Sequence, residues 1–390
     1  MANIEIAGLS KTYGKRVGVK NISLKVADKE FVAIFGPAGA GKTTTLNLIA
    51  GIVTPDSGNV RIADRDIGGL EPAERNVAMV FESYALYPQL TVYENMAFPL
   101  KSPKFKLPDA EVDERVKHYA KVMKIDHLIE RPIQALSNGQ RQRTALGRAL
   151  VRKPNVFLMD EPLSHLDAKL RHSMRAELKE MRQQLGTTTI YVTHDYLEAM
   201  SLGDRIVILD QGVILQVGTP DEVYFRPAST RVASLFGDPE VNLVEGRVVA
   251  GQGGRLTVEL FGGQYKVPLL TAELSRALTQ HNGNGAREQR FMVGFRPADV
   301  SVEHRYGDQA ANTDASGSVY SFEPLGTKCV VTATATDGTR VRALVPGRKQ
   351  YRADEQIRFS VQPENLIFFD AETGNYITRS MPVEEDEHHG

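Results

Sequence analysis

The sequence predicts an α/β domain over residues 1–236, followed by an all-β domain over residues 237–380. Three observations predict it. Short unbroken apolar runs alternate with helical stretches in the first part, and a glycine-rich loop joins one such run to a helix. After Phe236 the chain changes to short β-rich runs divided by Gly, Asn and Asp turns. The run Phe31-Val32-Ala33-Ile34-Phe35 reads as a buried strand, and residues 156–160 and 189–193 read the same way. This order builds a largely parallel sheet with helices on its faces. Between the first two strands Asp109 caps a helix on which Val112, Val116, Tyr119, Ala120 and Met123 share a face. The β-rich runs fall at 243–249, 255–260, 291–295, 329–335, 340–345 and 366–369, with turns such as Asn282-Gly283-Asn284-Gly285 and Asp337-Gly338 between them. That spacing suits a small barrel or sandwich.

Composition narrows the class. Of 390 residues, 42% are hydrophobic and 24% charged, the balance of a soluble globular protein. A net charge of −1 offers no bulk attraction to nucleic acid or an anionic membrane. The lone Cys329 precludes an internal disulfide and fits a reducing compartment. Residues 1–5 carry no basic region followed by an apolar stretch, so no signal peptide is expected. The longest apolar stretches, 31–35 and 46–53, fall short of the roughly 20 residues a spanning helix needs. Any work at a membrane goes through a partner. The run Glu384-Glu385-Asp386-Glu387 reads as a solvated tail over 381–390.

The chemistry begins at Gly36-Pro37-Ala38-Gly39-Ala40-Gly41-Lys42-Thr43, which matches the phosphate-loop pattern G-x-x-x-x-G-K-[ST], with Thr44 following. Its glycines let backbone N–H groups turn inward around a polyphosphate, with Lys42 beside the β- and γ-phosphates and the Thr43 hydroxyl placed for Mg²⁺. The helix that follows points its positive end at the same anion. Asp160 and Glu161 end an apolar strand. Asp160 is placed to hold Mg²⁺ through water, and Glu161 to polarise the attacking water as general base.

Leu136-Ser137-Asn138-Gly139-Gln140-Arg141-Gln142-Arg143 resembles the signature motif of ABC ATPases. His194 matches that family's switch histidine, Ser164-His165-Leu166-Asp167 its D-loop, and Tyr13 the aromatic residue that stacks on adenine. Phe81-Glu82-Ser83-Tyr84-Ala85-Leu86-Tyr87-Pro88 and Gly294-Phe295-Arg296-Pro297 resemble the maltose-type subgroup, which energises carbohydrate importers. The resemblance implies a phosphate-loop NTPase fold with a helical subdomain at about 88–152, then an OB-like (TOBE) regulatory domain. It implies ATP as substrate, Mg²⁺ as cofactor, and a head-to-tail dimer with a second ATPase, identical or not. Ser137, Asn138, Gly139 and Gln140 then face the partner's nucleotide, His194 meets the γ-phosphate, and Asp167 belongs to the D-loop. It further implies two membrane permeases docked on the segment 84–100, a periplasmic or surface solute-binding protein acting through them, and a place on the cytoplasmic face of a bacterial inner membrane. A mainly regulatory, non-transport ATPase is the alternative.

Two positions depart from the family pattern. Glu82 stands where the Q-loop glutamine is expected, and an ionised carboxylate only accepts hydrogen bonds while adding charge near Mg²⁺ and the γ-phosphate. Asn138 replaces the first signature glycine, at a turn where Asn is expected to tolerate left-handed backbone. Tolerated drift in a homodimer and an unequal pair of ATPases both accommodate these changes. A DNA-repair ATPase is disfavoured because the stretch between phosphate loop and signature is too short and lacks sustained heptads.

Overall fold

The computed structural model describes residues 2–103, 106–250, 256–269, 271–281, 289–304 and 315–380. Arg255, the turn at 282–285 and the acidic tail lie outside them. The chain divides into two compact units, 1–220 and 221–390.

The first unit opens with β1 (Ile4–Tyr13) and β2 (Arg16–Val26), joined by a two-residue turn in which Gly14 takes φ 60°. Then come β3 (Phe31–Phe35), α1 (Lys42–Ala50), β4 (Ser57–Ile62), β5 (Arg65–Asp66), β6 (Val77–Val80), α2 (Val92–Ala97) and α3 (Asp109–Val122). Next are α4 (Asn138–Leu150), β7 (Val156–Asp160), α5 (Ala168–Leu185), β8 (Thr188–Thr193), α6 (Tyr196–Leu202), β9 (Arg205–Asp210) and β10 (Val213–Gly218). One sheet, in the order β2-β1-β4-β5, is antiparallel. The other, β10-β9-β3-β8-β7-β6, is parallel except where β10 pairs with β9. Every residue of β3 and β7 is buried, as unbroken apolar runs between two layers require. Because β3, β7 and β8 run in parallel, the loops leaving their C-terminal ends open on one edge, where open α/β sheets bind ligands.

Val112, Val116, Tyr119, Ala120 and Met123 are buried together, as the helical spacing predicts. The expected cap is corrected. Asp109 is the first helical residue, and Pro108, extended at ψ 143°, holds the cap position without a side-chain bond. The proline ring fixes φ and turns the chain into the helix, so the Asp109 carboxylate contributes through the helix dipole and lies 3.5 Å from Lys101.

The second unit carries α7 (Pro220–Phe225), α8 (Thr230–Leu235), β11 (Asn242–Ala250), β12 (Leu256–Leu260), β13 (Tyr265–Pro268), α9 (Ala272–His281) and β14 (Gln289–Phe295). It continues with β15 (Val300–His304), β16 (Ala315–Leu325), β17 (Lys328–Ala335), β18 (Arg340–Pro346), β19 (Gln356–Val361), β20 (Ile367–Asp370) and β21 (Tyr376–Arg379). Two antiparallel sheets, β13-β12-β11-β14-β20-β21 and β15-β19-β16-β17-β18, share a core that includes Phe261, Phe295, Phe359 and Phe368. The division at Pro220 precedes the sequence boundary at 236. The buried Arg296 explains the difference: it donates to the carbonyls of Tyr224 (2.9 Å), Ala233 (3.3 Å) and Phe236 (2.6 Å) and lies 4.2 Å over the Tyr224 ring. These bonds tie 221–236 to the β-rich unit.

Candidate functional site

The phosphate loop leaves the end of β3. A Cβ at Gly36 would lie 2.1 Å from the Leu209 carbonyl oxygen, and one at Gly41, where φ is 106°, would lie 2.3 Å from that of Gly18. No side chain fits either place. Gly39 also takes positive φ, with Arg16 beside it; Ala40 is buried, while Ala38 is exposed and Pro37 half-buried. Lys42 is buried and donates to the carbonyls of Gly36 (2.9 Å) and Pro37 (3.1 Å), with its ammonium 3.2 Å from Glu161 Oε1. Thr43 donates to Asp160 Oδ1 at 3.1 Å. Tyr13, Arg16, Thr44 and Glu161 join the loop in lining a cleft of about 430 Å³. Tyr13, on the outer end of β1, is 44% exposed, so its ring is open to a stacking base.

β7 delivers Asp160 and Glu161. Burial pushes the Asp160 carboxyl up to about 6, helped by the charges of Glu161 and Glu82 and opposed by the Thr43 hydrogen bond and Lys42. A desolvated carboxylate bonded to a threonine hydroxyl is a fitting donor pair for a hard divalent cation. Among the described residues no three His, Cys, Asp or Glu side chains converge to hold a metal unaided. Glu161 has φ 43°, rare for a residue with a side chain and characteristic of strained functional positions. Its N–H is held by the Val192 carbonyl on β8 at 3.0 Å. Glu161 Oε2 accepts from His194 Nδ1 at 2.6 Å, so Lys42 and His194 grip its two oxygens. Lys42, Glu161 and His194, distant in sequence, thus form one chain of contacts.

Glu82 lies near enough to Asp160 for its charge to help raise that carboxyl. Glu82 Oε1 lies 3.4 Å from Ser164 Oγ, which donates to the Glu161 carbonyl at 2.9 Å, and faces His165 Nε2 at 3.7 Å, both on the segment before Asp167. Ser137 caps α4 and forms a reciprocal capping box with Gln140, with bonds of 3.4 and 3.0 Å. Asn138 is the first helical residue of α4, so the left-handed turn expected there is corrected: the capping box sets right-handed helical backbone, and Asn138 is exposed. Gly139 is buried, and a Cβ there would press on Leu170 Cδ2 at 3.3 Å. Asp167 caps α5 by accepting from Leu170 N at 2.9 Å.

Sequence reasoning passed over two residues. Arg16 flanks the phosphate loop, and no motif spacing marks it. Arg148, on the last turn of α4, donates to the carbonyls of Tyr84 (2.9 Å) and Ala85 (2.7 Å), two residues held at positive φ just after Glu82. The same loop edges an open groove with Tyr87, Phe98, Pro99 and Arg152.

Residues 19–164 match the ABC transporter family, and residues 293–369 match the TOBE domain. The sn-glycerol-3-phosphate import ATP-binding protein of Cupriavidus pinatubonensis is 42% identical over 381 residues, 97% of this chain and 100% of the relative. The chain belongs to the ABC transporter ATP-binding proteins. As an ABC ATPase it hydrolyses ATP. The trehalose/maltose import ATP-binding protein of Thermococcus litoralis is 50% identical over 310 residues, covering 77% of this ABC ATPase and 79% of the relative. The sulfoquinovosyl glycerol transport ATP-binding protein of Agrobacterium fabrum is 44% identical, covering 96% and 99%. Among solved structures, a component of an ABC transporter complex from Clostridium perfringens has 29% identity and a TM-score of 0.52, over 56% of this chain and 89% of its own. An ATP-binding cassette solved as a dimer in a post-hydrolysis state, bound to ADP and Pi, has 31% identity and a TM-score of 0.50, over 56% and 98%. Among the described residues no helix is long and apolar enough to cross a membrane.

Proposed function

We propose that this chain is the motor of an importer for a carbohydrate, polyol or glycerol-derived solute, working as a head-to-tail ATPase dimer beneath two membrane permeases. The observation that carries the reading is the meeting of Lys42, Glu161 and His194 at the ends of three parallel strands, in a chain whose relatives match it along nearly its whole length. The printed names of those relatives, import proteins for glycerol phosphate and for trehalose and maltose, support the solute class. The mainly regulatory alternative is not favoured, because those relatives are import ATP-binding proteins.

In this reading the loop amides of residues 36–41 and Lys42 hold the β- and γ-phosphates, Thr44 flanks them, and Tyr13 stacks on adenine. Thr43 and Asp160 would hold Mg²⁺, with Glu82 as a further carboxylate near it; the ion would supply charge neutralisation on the phosphates. An arriving γ-phosphate competes with Glu161 for Lys42 and His194. The freed carboxylate takes a proton from water as the water oxygen bonds to the γ-phosphorus and the bridging P–O bond to ADP breaks. Ser137, Asn138, Gly139 and Gln140 present a helix N-terminus to the nucleotide of the partner subunit, where amide dipoles favour the γ-phosphate. The dimeric cassette among the solved structures supports that arrangement. The groove edged by Tyr87 and Phe98 receives the permease, which sets the chain on the cytoplasmic face of the inner membrane, and a periplasmic or surface solute-binding protein feeds the permeases.

The test is a pull-down of the tagged chain from detergent-solubilised native membranes. Two permeases and no second ATPase support a homodimeric importer. A second, different ATPase makes the pair unequal. Recovery without any permease overturns the transport reading.

A further inference from the structure

A buried carboxylate is bonded to the residue that precedes His194. Glu198, on the first turn of α6, is 3% exposed, although an acidic side chain there gains its helix-dipole benefit equally well in water. Burying a carboxylate is costly unless its oxygens are bonded, so the bonds it makes indicate what it is for. Its Oε2 accepts two hydroxyl hydrogen bonds from β8: Tyr191 Oη at 2.8 Å and Thr193 Oγ1 at 2.6 Å. Thr193 has one hydroxyl proton and gives it to Glu198. Its lone pairs are thereby turned towards the backbone, and Thr193 Oγ1 accepts from Asp195 N at 2.9 Å. Thr193 and Asp195 are the residues on either side of His194. The Asp195 carboxylate accepts from Leu197 N and Glu198 N, and it faces Arg171 at 3.5 Å and Arg175 at 3.9 Å on α5. Both flanks of His194 are therefore tied to one polar network, while the imidazole itself meets Glu161 at 2.6 Å.

We propose that Glu198 is a positioning residue for hydrolysis: through Thr193 it fixes the backbone on both sides of His194 and so aims the imidazole at Glu161 and the γ-phosphate. Glu198 sets the direction in which Thr193 Oγ1 donates, which fixes the Asp195 amide and hence the φ/ψ of the residue between them. Removing it leaves two buried hydroxyls to find new acceptors, and the His194 loop then relaxes. The phosphate loop on β3 and α1 is untouched, so nucleotide affinity and turnover separate. A displacement of about 1 Å at a catalytic group costs on the order of 100-fold in rate, which bounds the expected effect.

The experiment is a double-mutant cycle on the full chain, reading phosphate release at saturating MgATP alongside equilibrium binding of a fluorescent ATP analogue. Glu198→Ala is expected to lower kcat about 10- to 100-fold with analogue affinity within about twofold. Glu198→Gln keeps an accepting oxygen and is expected to recover kcat to within about threefold of wild type. In the His194→Ala background, Glu198→Ala is expected to change the residual rate less than twofold, because the two act as a unit. Full and independent losses in the two backgrounds overturn the proposal, as does an undiminished kcat in Glu198→Ala. Should that variant fail to fold, Tyr191→Phe, which removes one of the two donors, carries the same cycle: non-additivity with His194→Ala supports the proposal and additivity overturns it.

Discussion

Asp160 is the residue whose substitution best tests the site's electrostatics. Its carboxyl is pushed from an ordinary value of 3.8 up to about 6, above all by burial. In Mg²⁺-free, nucleotide-free buffer the folded chain therefore holds its proton more tightly than the unfolded chain, and stability falls as pH rises from about 4 to about 6. The full difference is about 3 kcal/mol, reached above pH 7, when Asp160 is ionised in both states. Asp160→Asn keeps an oxygen to accept from Thr43 but carries no charge to desolvate. It is expected to be more stable than wild type by up to about 3 kcal/mol at pH 7.5, with the gap shrinking to about 1 kcal/mol at pH 4.5. In a domain of this size the larger figure is about 6–12 °C in Tm. Urea denaturation followed by circular dichroism, at both pH values and with EDTA present, measures the gap. Turnover with MgATP should be lost in the same variant, the usual trade of stability against function at a strained site. Equal or lower stability of Asp160→Asn at pH 7.5, or a gap that does not change with pH, refutes the desolvation argument.

The other expectations are shorter. Glu161→Gln should cut phosphate release at least about 100-fold while ATP binding survives, and unchanged turnover removes Glu161 as the base. Gly41→Ala places a Cβ 2.3 Å from the Gly18 carbonyl oxygen at φ 106°, and should cost about 2–4 kcal/mol of stability and most of the ATP affinity in a binding titration. Glu82→Gln removes a charge that helps hold the Asp160 carboxyl up. In Mg²⁺-free, nucleotide-free buffer the loss of stability with rising pH should then end at a lower pH, and an unmoved transition contradicts the coupling. Asn138→Gly, at a helical position, should lower the free energy of unfolding by about 1 kcal/mol or less in a denaturant titration; a gain in stability would reveal strain that the helical geometry denies.

The phosphate loop was legible because its requirement is local. Where a Cβ would meet the Leu209 or Gly18 carbonyl oxygen at little more than 2 Å, only glycine is possible, and the spacing of glycines announces the turn before any fold is known. The buried strands were legible for a similar reason, since two covering layers leave no polar face to interrupt an apolar run. Features fixed by long-range partners were hidden. Arg296 draws residues 221–236 into the second unit through carbonyls 60 to 72 residues away, and nothing in the local pattern near 236 reports it. Strands 300–304 and 356–361 do alternate buried with more exposed residues, so their period-two signal stood in the sequence and was passed over. The signature turn was misjudged for the opposite reason: a glycine in the family pattern suggested left-handed backbone, whereas the Ser137–Gln140 capping box already sets a helix start at which Asn138 is unstrained. Most telling are the arginine and carboxylate networks. Arg148 and Glu198 lie outside the quoted motifs, yet each holds the backbone beside a residue inside one, Arg148 after Glu82 and Glu198 around His194. A motif records the atoms that meet the nucleotide. The side chains that aim them are chosen by burial and by which carbonyls and hydroxyls the fold brings within reach, so they become visible only when the strands are assembled.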